Sequence, residues 1–125
     1  MKYEIDWPRN DCVENYHHHT IAMLTGLPIE EIKAKAPDRG LWHTRDYIKT
    51  FRDLGFNCND RFIKFDPNTP YPCIMRYTTP EDKNHWYSEV YYDGLVYSWN
   101  NCSDLTSFKI LNPELKITSM LQVWI

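Results

Sequence analysis

The stretch DCVENYHHHTIAMLTG, residues 11–26, carries the clearest helical pattern in the chain. Asp11 stands where a helix N-cap is expected, because its carboxylate can accept hydrogen bonds from the first free backbone N–H groups. Glu14, three residues later, completes a capping-box pattern. Apolar residues then recur at helical spacing, and a glycine ends the pattern. The sequence therefore predicts a first helix over residues 12–25, with Cys12 at its first position.

The remaining chain divides into two more helices and then strands. We expect a short helix over residues 29–35 and a longer one over about residues 44–54. Strands are predicted over residues 62–65, 71–77, 85–92, 95–99 and 117–125. Asp93 and Gly94, between two of these strands, are the strongest hairpin signal, and the last strand is expected to close the sheet. Helices followed by antiparallel strands predict one α+β domain over residues 1–125.

The composition limits the classes of function. The chain has 125 residues, 14 Lys+Arg, 17 Asp+Glu, a net charge of −3 and 15% aromatic residues. No basic stretch is present, so we expect no nucleic-acid partner. No run of about 18 apolar residues and no apolar N-terminal region is present, so we expect neither a membrane span nor a signal peptide. These features favour a cytoplasmic protein with reduced cysteines.

One of the four cysteines has a special position. The four form no C-x-x-C pair, which argues against a zinc ribbon or a thioredoxin-like motif. Cys12 differs from Cys58, Cys73 and Cys102 because a thiol at a helix N-terminus has a lowered pKa. The plainer interpretation of Cys12 is a small buried hydrophobic residue.

A nucleophilic thiol needs a base, and the base needs a group that orients it. His85 begins a predicted strand and is the candidate base. The symmetry of the predicted hairpin places its cross-strand partner near Asn101 or Cys102. Asn100 is therefore the candidate orienting residue, with Asn101 as the alternative. Each residue alone has an ordinary structural interpretation, and the order Cys, His, Asn is what indicates catalysis.

A family resemblance rests on residues 10–13 (NDCV), 22–32 (AMLTGLPIEEI), 85–86 (HW) and 96–100 (VYSWN). These stretches resemble the small papain-like cysteine peptidases, in particular the bacteriocin-processing group and its bacterial and phage relatives. The resemblance implies a papain-like fold in which the nucleophile starts the central helix and the helices pack on a C-terminal antiparallel sheet. It also implies a cysteine hydrolase whose catalytic triad is Cys12, His85 and Asn100.

Two departures from that family concern the oxyanion and the first helix. Members usually carry a Gln about six residues before the nucleophile, whose N–H groups stabilise the oxyanion. Asp6 stands here instead, and a carboxylate has the wrong charge for that task. Asn10 is the other candidate for this support. The helix also runs about one turn longer than the family resemblance implies before its Thr-Gly step.

The histidine run at residues 17–19 is weighed separately as a metal site. Consecutive helical residues point about 100° apart, so the three cannot bind one metal ion. We expect His17 to be packed or hydrogen-bonded in the core, and His18 and His19 to face solvent or a flank. No metal and no cofactor are expected. A zinc site that joins one of these histidines to Cys12 and to His43 or His85 is a minor alternative.

Two functions compete. The first is a peptidase-like or isopeptidase-like cysteine hydrolase with a peptide or protein substrate. The alternative is a catalytically degenerate papain-like domain that binds a protein or peptide. Asp6 favours the alternative, and so do the aromatic residues Trp42, Trp86, Tyr87, Tyr91, Tyr92, Tyr97 and Trp99. Because side chains alternate along a strand, one of the two aromatic sets on the hairpin must face away from the core.

Overall fold

The computed structural model describes residues 3–9, 15–40, 42–98 and 101–125. Over these residues the chain is α+β, with three helices ahead of an antiparallel sheet and a fourth helix ahead of the last strand. No helix in this part of the chain is long and apolar enough to cross a membrane.

The first helix, α1 (Tyr16–Thr25), begins later than predicted. Asn15 is its N-cap, with an extended backbone (φ −92°, ψ 122°) and a side-chain oxygen that accepts a hydrogen bond from the His17 N–H. An extended residue cannot continue a helix, so the prediction that this helix starts at Cys12 is wrong. Cys12 and its expected cap, Asp11, lie outside the described residues.

α1 is the central helix and is buried almost all round, from His18 to Leu24. The exposed fraction is 1% for His18 and 3% for His19, so the prediction that these two face solvent or a flank is wrong. The N-terminal segment covers the side of α1 that would otherwise be open. There the Arg9 guanidinium donates a hydrogen bond of 2.9 Å to the Ala22 carbonyl.

The next two helices match the prediction. They are α2 (Ile29–Lys35) and α3 (Thr44–Asp53). α3 directs Tyr47 and Phe51 into the core, because the four-residue spacing puts both on one face. Gly55 follows α3 with φ 90°, a left-handed conformation that glycine adopts without a steric cost, and it ends the helix there.

The sheet has seven strands in the described part of the chain. They are β1 (Asn57–Cys58), β2 (Ile63–Lys64), β3 (Cys73–Thr79), β4 (Asp82–Tyr92), β5 (Leu95–Tyr97), β6 (Cys102–Asp104) and β7 (Lys116–Trp124). Their order is β1-β7-β3-β4-β5-β6, and β2 also pairs with β7. The C-terminal strand therefore lies in the interior of the sheet, between β1 and β3. The helix α4 (Leu105–Leu111) connects β6 to β7.

The two faces of the sheet carry separate cores, because side chains alternate along each strand. Ile74 and Val90 belong to the core that includes residues of α1, α2 and α3. Met75, Tyr91 and Phe108 belong to a second core, to which α4 contributes. Between Tyr87 and Tyr92 of β4, even-numbered residues therefore face α1 and odd-numbered residues face α4, whereas the pairing with β3 is irregular between Asp82 and Tyr87.

The hairpin between β4 and β5 turns at Asp93 and Gly94, as predicted. Both residues have positive φ, 51° and 83°, as a two-residue type I′ turn requires. β5 pairs only with residues 90–92 of β4. Within the described chain, no strand pairs with residues 82–89 on the side away from β3. We call this side of residues 82–89 the open edge of β4.

β5 ends at Tyr97 because the chain turns back immediately after it. The Ser98 N–H donates a hydrogen bond of 2.7 Å to the Asn101 carbonyl, and in β6 Cys102 pairs with Tyr97. The prediction that Asn101 or Cys102 lies opposite His85 is therefore wrong. Asn101 is exposed in the turn between β5 and β6.

Candidate active site

A cleft of about 600 Å³ lies between the open edge of β4, the first turn of α1 and the start of α3. Six consecutive residues of β4, 84–89, contribute to its wall. Glu89 and Ser88 leave the strand on opposite sides and both line the cleft, so the cleft follows the edge of the strand. Most of the other wall residues are aromatic or histidine.

His85 is the described member of the predicted triad, and it lies on this cleft together with Tyr16 and His17 of α1. Its side chain is exposed, and its ring contacts the Tyr87 ring edge-on, with 4.4 Å between the ring centroids. The imidazole shares the α4 side of the sheet with Tyr87. It therefore borders the cleft from the rim of the open edge rather than from the face that packs on α1.

The other predicted members are not placed by the structure. Cys12, Asn100 and Asn10 lie outside the described residues. Cys12 precedes Tyr16 by four residues along the chain, and Tyr16 lines the cleft.

Asp6, the residue at the position of the family's Gln, lies away from this cleft. Its N–H donates to the Met23 carbonyl at 2.9 Å, and its carboxylate pairs with Arg9 at 3.2 Å. Met23 is seven residues beyond Tyr16, which is about 10 Å along the helix axis. The structure therefore does not bring Asp6 and His85 together.

His17 holds the wall of the cleft together through both ring nitrogens. A carbonyl can only accept, so Nε2 donates to the Gly40 carbonyl at 3.0 Å, and Nδ1 accepts from the Tyr47 hydroxyl. The Trp42 ring stacks on the imidazole, with 5.0 Å between centroids. Burial lowers the pKa of His17, which favours the neutral ring. The prediction of a packed or hydrogen-bonded His17 is confirmed.

The cleft also contains a carboxylate that the sequence reasoning missed. Burial raises the pKa of Glu89 to about 7, although the nearby hydroxyls of Ser98 and Tyr77 oppose that rise. Glu89 therefore gains and loses a proton near neutral pH. The sequence does contain a signal for Glu89. It lies between Tyr87 and Tyr91 on the same side of the strand, where an acidic side chain interrupts a row of aromatic ones.

Arg76, on β3, is the second wall residue that the sequence reasoning missed. Its guanidinium lies 3.5 Å from the centroid of the Phe62 ring and 5.2 Å from that of Trp86. Nη2 donates a long hydrogen bond of 3.4 Å to the Thr44 hydroxyl, at the start of α3. Burial lowers the pKa of Arg76.

The described residues contain no group of three or more His, Cys, Asp or Glu side chains that could hold a metal ion. His17 uses both of its ring nitrogens inside the protein, and His18 Nε2 donates to the Pro37 carbonyl at 3.0 Å. These contacts occupy both ring nitrogens of His17 and one of the two ring nitrogens of His18.

Comparison of the chain with protein-family models, curated proteins and solved structures found no match. The structure thus defines an α+β protein with helices and an antiparallel sheet. Any function has to be argued from the cleft.

Proposed function

We propose that the protein is a cysteine hydrolase of papain-like type that cleaves a peptide or isopeptide amide, with Cys12 as nucleophile, His85 as base and Asn100 as orienting residue. The observation that carries the proposal is that His85 and the first turn of α1 border the same cleft. Cys12 stands four residues before Tyr16, the first residue of that turn, in the sequence.

The proposed reaction follows from these roles. The Cys12 sulfur attacks the amide carbonyl while His85 takes the thiol proton and then donates it to the leaving amine. Water hydrolyses the resulting thioester, and His85 accepts a proton from that water. Asn100 would hold one imidazole nitrogen, so that the other faces the sulfur.

His85 suits the role of base better than His17, the other candidate on the cleft. Neither ring nitrogen of His85 has a hydrogen-bond partner among the described residues, so both are available for proton transfer. Both nitrogens of His17 are engaged, by Gly40 and Tyr47. A proton taken up by His17 would break its bond from the Tyr47 hydroxyl.

The shape of the cleft favours a peptide as the substrate. The open edge of β4 presents unpaired backbone N–H and C=O groups, which an extended peptide can meet as an added strand. Trp86 and Tyr87 on this strand are 49% and 39% exposed, and large aromatic side chains are common contact residues for peptides.

The test is the reactivity of each cysteine. Burial raises the pKa of Cys58, Cys73 and Cys102, so these thiols should react slowly with iodoacetamide at neutral pH. We expect Cys12 to be alkylated at least about tenfold faster than any of them, because a paired thiol is largely ionised. Mass spectrometry of the digested protein measures the four rates.

The matched variants are His85→Ala and Lys83→Ala, two exposed positions of the same strand. The first should slow the alkylation of Cys12, and the second should leave it unchanged. A Cys12 rate equal to that of a model thiol, in all three proteins, would refute the proposal.

The second candidate function is a peptide-binding domain without catalysis. The separation of Asp6 from the cleft favours it, because the residue at the position of the family's Gln then supplies no oxyanion donor. A binding domain would bind peptides equally well with and without Cys12→Ala and would release no cleaved product. The hydrolase would show product with the native chain only.

A further inference from the structure

We propose that Arg76 makes the cleft selective for peptides that carry a carboxylate, which its guanidinium binds. This inference rests on the proposed function only in taking a peptide as the occupant of the cleft. The proposal concerns the ligand, and it does not require that the ligand be cleaved.

Two aromatic rings hold the Arg76 side chain in the cleft. It leaves β3 on the side that faces α1 and is half-buried, with its guanidinium over the Phe62 ring and near the Trp86 ring. Aromatic contacts fix the plane of a guanidinium while they leave its N–H groups free for a ligand. The group is therefore oriented in advance, as a binding residue needs to be.

Arg76 has no acidic partner among the described residues. Its one hydrogen bond from the guanidinium goes to the Thr44 hydroxyl at 3.4 Å, and a guanidinium has five N–H donors. In this part of the chain, three other arginines form ion pairs: Arg9 with Asp6, Arg39 with Asp46 and Arg52 with Asp60. A half-buried cation without a partner is unfavourable, and an anion that enters the cleft would remove that cost.

The polar groups of the wall around Arg76 also favour an anion. Among the described residues, the wall has one carboxylate, Glu89, and this group points to the α4 side of the sheet, away from Arg76. The wall also carries His43 and His85, whose imidazole N–H groups can donate hydrogen bonds to an anion. Thr44 is the first residue of α3, where the helix dipole favours an anion. The cleft is thus suited to a negative group although the chain as a whole carries −3.

A carboxylate fits this position because its two oxygens can accept two parallel hydrogen bonds from one guanidinium. In a peptide it can come from an Asp or Glu side chain or from the free C-terminus. The two sources present the same group, so the experiment must separate them.

The experiment uses full-length Cys12→Ala protein, which cannot cleave its ligand by the proposed route. Three pools of hexapeptides are titrated by calorimetry. One pool has a Glu at a fixed position and blocked ends, the second has Gln there and blocked ends, and the third has Gln and a free C-terminus. We expect the first or the third pool, and not the second, to bind.

Three further substitutions are made in that protein. Arg76→Gln should weaken binding of the preferred pool by about ten- to a hundredfold, as loss of a charge-assisted hydrogen bond does. Arg76→Lys should restore part of it, since the charge stays and the two-pronged geometry is lost. Arg61→Gln removes an exposed arginine that does not line the cleft, and it should change nothing.

Equal binding of all three pools overturns the proposal, and so does an Arg76→Gln protein that remains folded and binds as before. Absence of binding by every pool at about 1 mM, where even weak complexes form, also overturns it. If Arg76→Gln does not fold, the proposal is tested by the Cys12→Ala protein alone. Stronger binding of a carboxylate-containing pool than of the blocked Gln pool supports the proposal, and equal binding overturns it. The alkylation of Cys12 involves no peptide, so the two proposals can fail separately.

Discussion

The Tyr16 hydroxyl lies 3.1 Å from the Ser88 Oγ, so the first residue of α1 is hydrogen-bonded to the strand that carries His85. This bond crosses from one wall of the cleft to another. It connects the segment that follows Cys12 to the middle of β4, and the width of the cleft depends on the distance between these two elements.

We expect Tyr16→Phe and Ser88→Ala each to lower the free energy of unfolding by about 0.5 to 1 kcal/mol, because the bond is partly exposed to water. The double variant should cost less than the sum of the two, since both remove the same bond. Urea denaturation measures all three. Tyr87→Phe is the control, because that hydroxyl has no hydrogen-bond partner among the described residues and the side chain is similarly exposed, at 39%.

The role of Asn100 can be separated from that of its neighbour. Asn100→Ala should lower kcat by about tenfold or more, because an imidazole that is not held adopts unproductive orientations and tautomers. Asn101→Ala should have little effect, since the turn uses the Asn101 backbone carbonyl and not its side chain. Steady-state kinetics on a cleaved peptide measure both. Equal losses in the two variants would contradict the assignment of Asn100.

The Glu89 carboxyl should make stability depend on pH in a specific direction. Burial raises its pKa to about 7 from 4.5, so the folded protein holds a proton that the unfolded chain loses. Its stabilising effect is complete below about pH 4.5 and is lost as the pH rises towards 7. The whole effect is roughly 3 kcal/mol at most.

Glu89→Gln should remove this decline and should be more stable than the native chain above pH 7. Denaturation at several pH values between 4 and 8 gives both curves. Glu81→Gln, in the exposed turn between β3 and β4, is the control. A decline that persists in Glu89→Gln would show that another group causes it.

His17 should act in the opposite direction over part of the same range. Burial lowers its pKa below 6.5, so the unfolded chain takes up a proton before the folded chain does. Its contribution to stability is present above about pH 6.5 and is lost as the pH falls. His17→Gln should therefore show a smaller loss of stability between pH 7 and 5, roughly the interval that spans this transition.

The control for His17→Gln is His85→Gln, because that ring is exposed and has no hydrogen-bond partner in the described part of the chain. If His17→Gln and the native chain lose stability equally on acidification, the neutral His17 does not hold the cleft wall as described.

The helices and the hairpin could be predicted because local signals specify them. Gly55 at positive φ ends α3, and Asp93 with Gly94 forms the turn that this pair favours. The start of α1 was misplaced because two caps compete in the sequence. Asp11 has the better pattern, whereas Asn15 makes the cap that the structure shows.

The parts that could not be predicted depend on contacts between distant residues. Burial of His18 and His19 follows from the covering of α1 by other elements, which the residues of α1 do not encode. The helix α4 was missed because it is short, although Asp104 caps it by accepting from the Ser107 N–H at 2.7 Å. Arg76 and Glu89 were missed because their surroundings come from several elements.

The open edge of β4 also affects how molecules of this protein meet one another. An unpaired strand is a template onto which a strand of a second molecule can add, and repeated addition produces aggregates. Asp82 and Lys83 are exposed at the beginning of this strand. Charged side chains at such an edge oppose this addition because pairing would bury or crowd them. The strand can therefore offer its edge to a ligand while these charges help to keep the protein dispersed in concentrated solution.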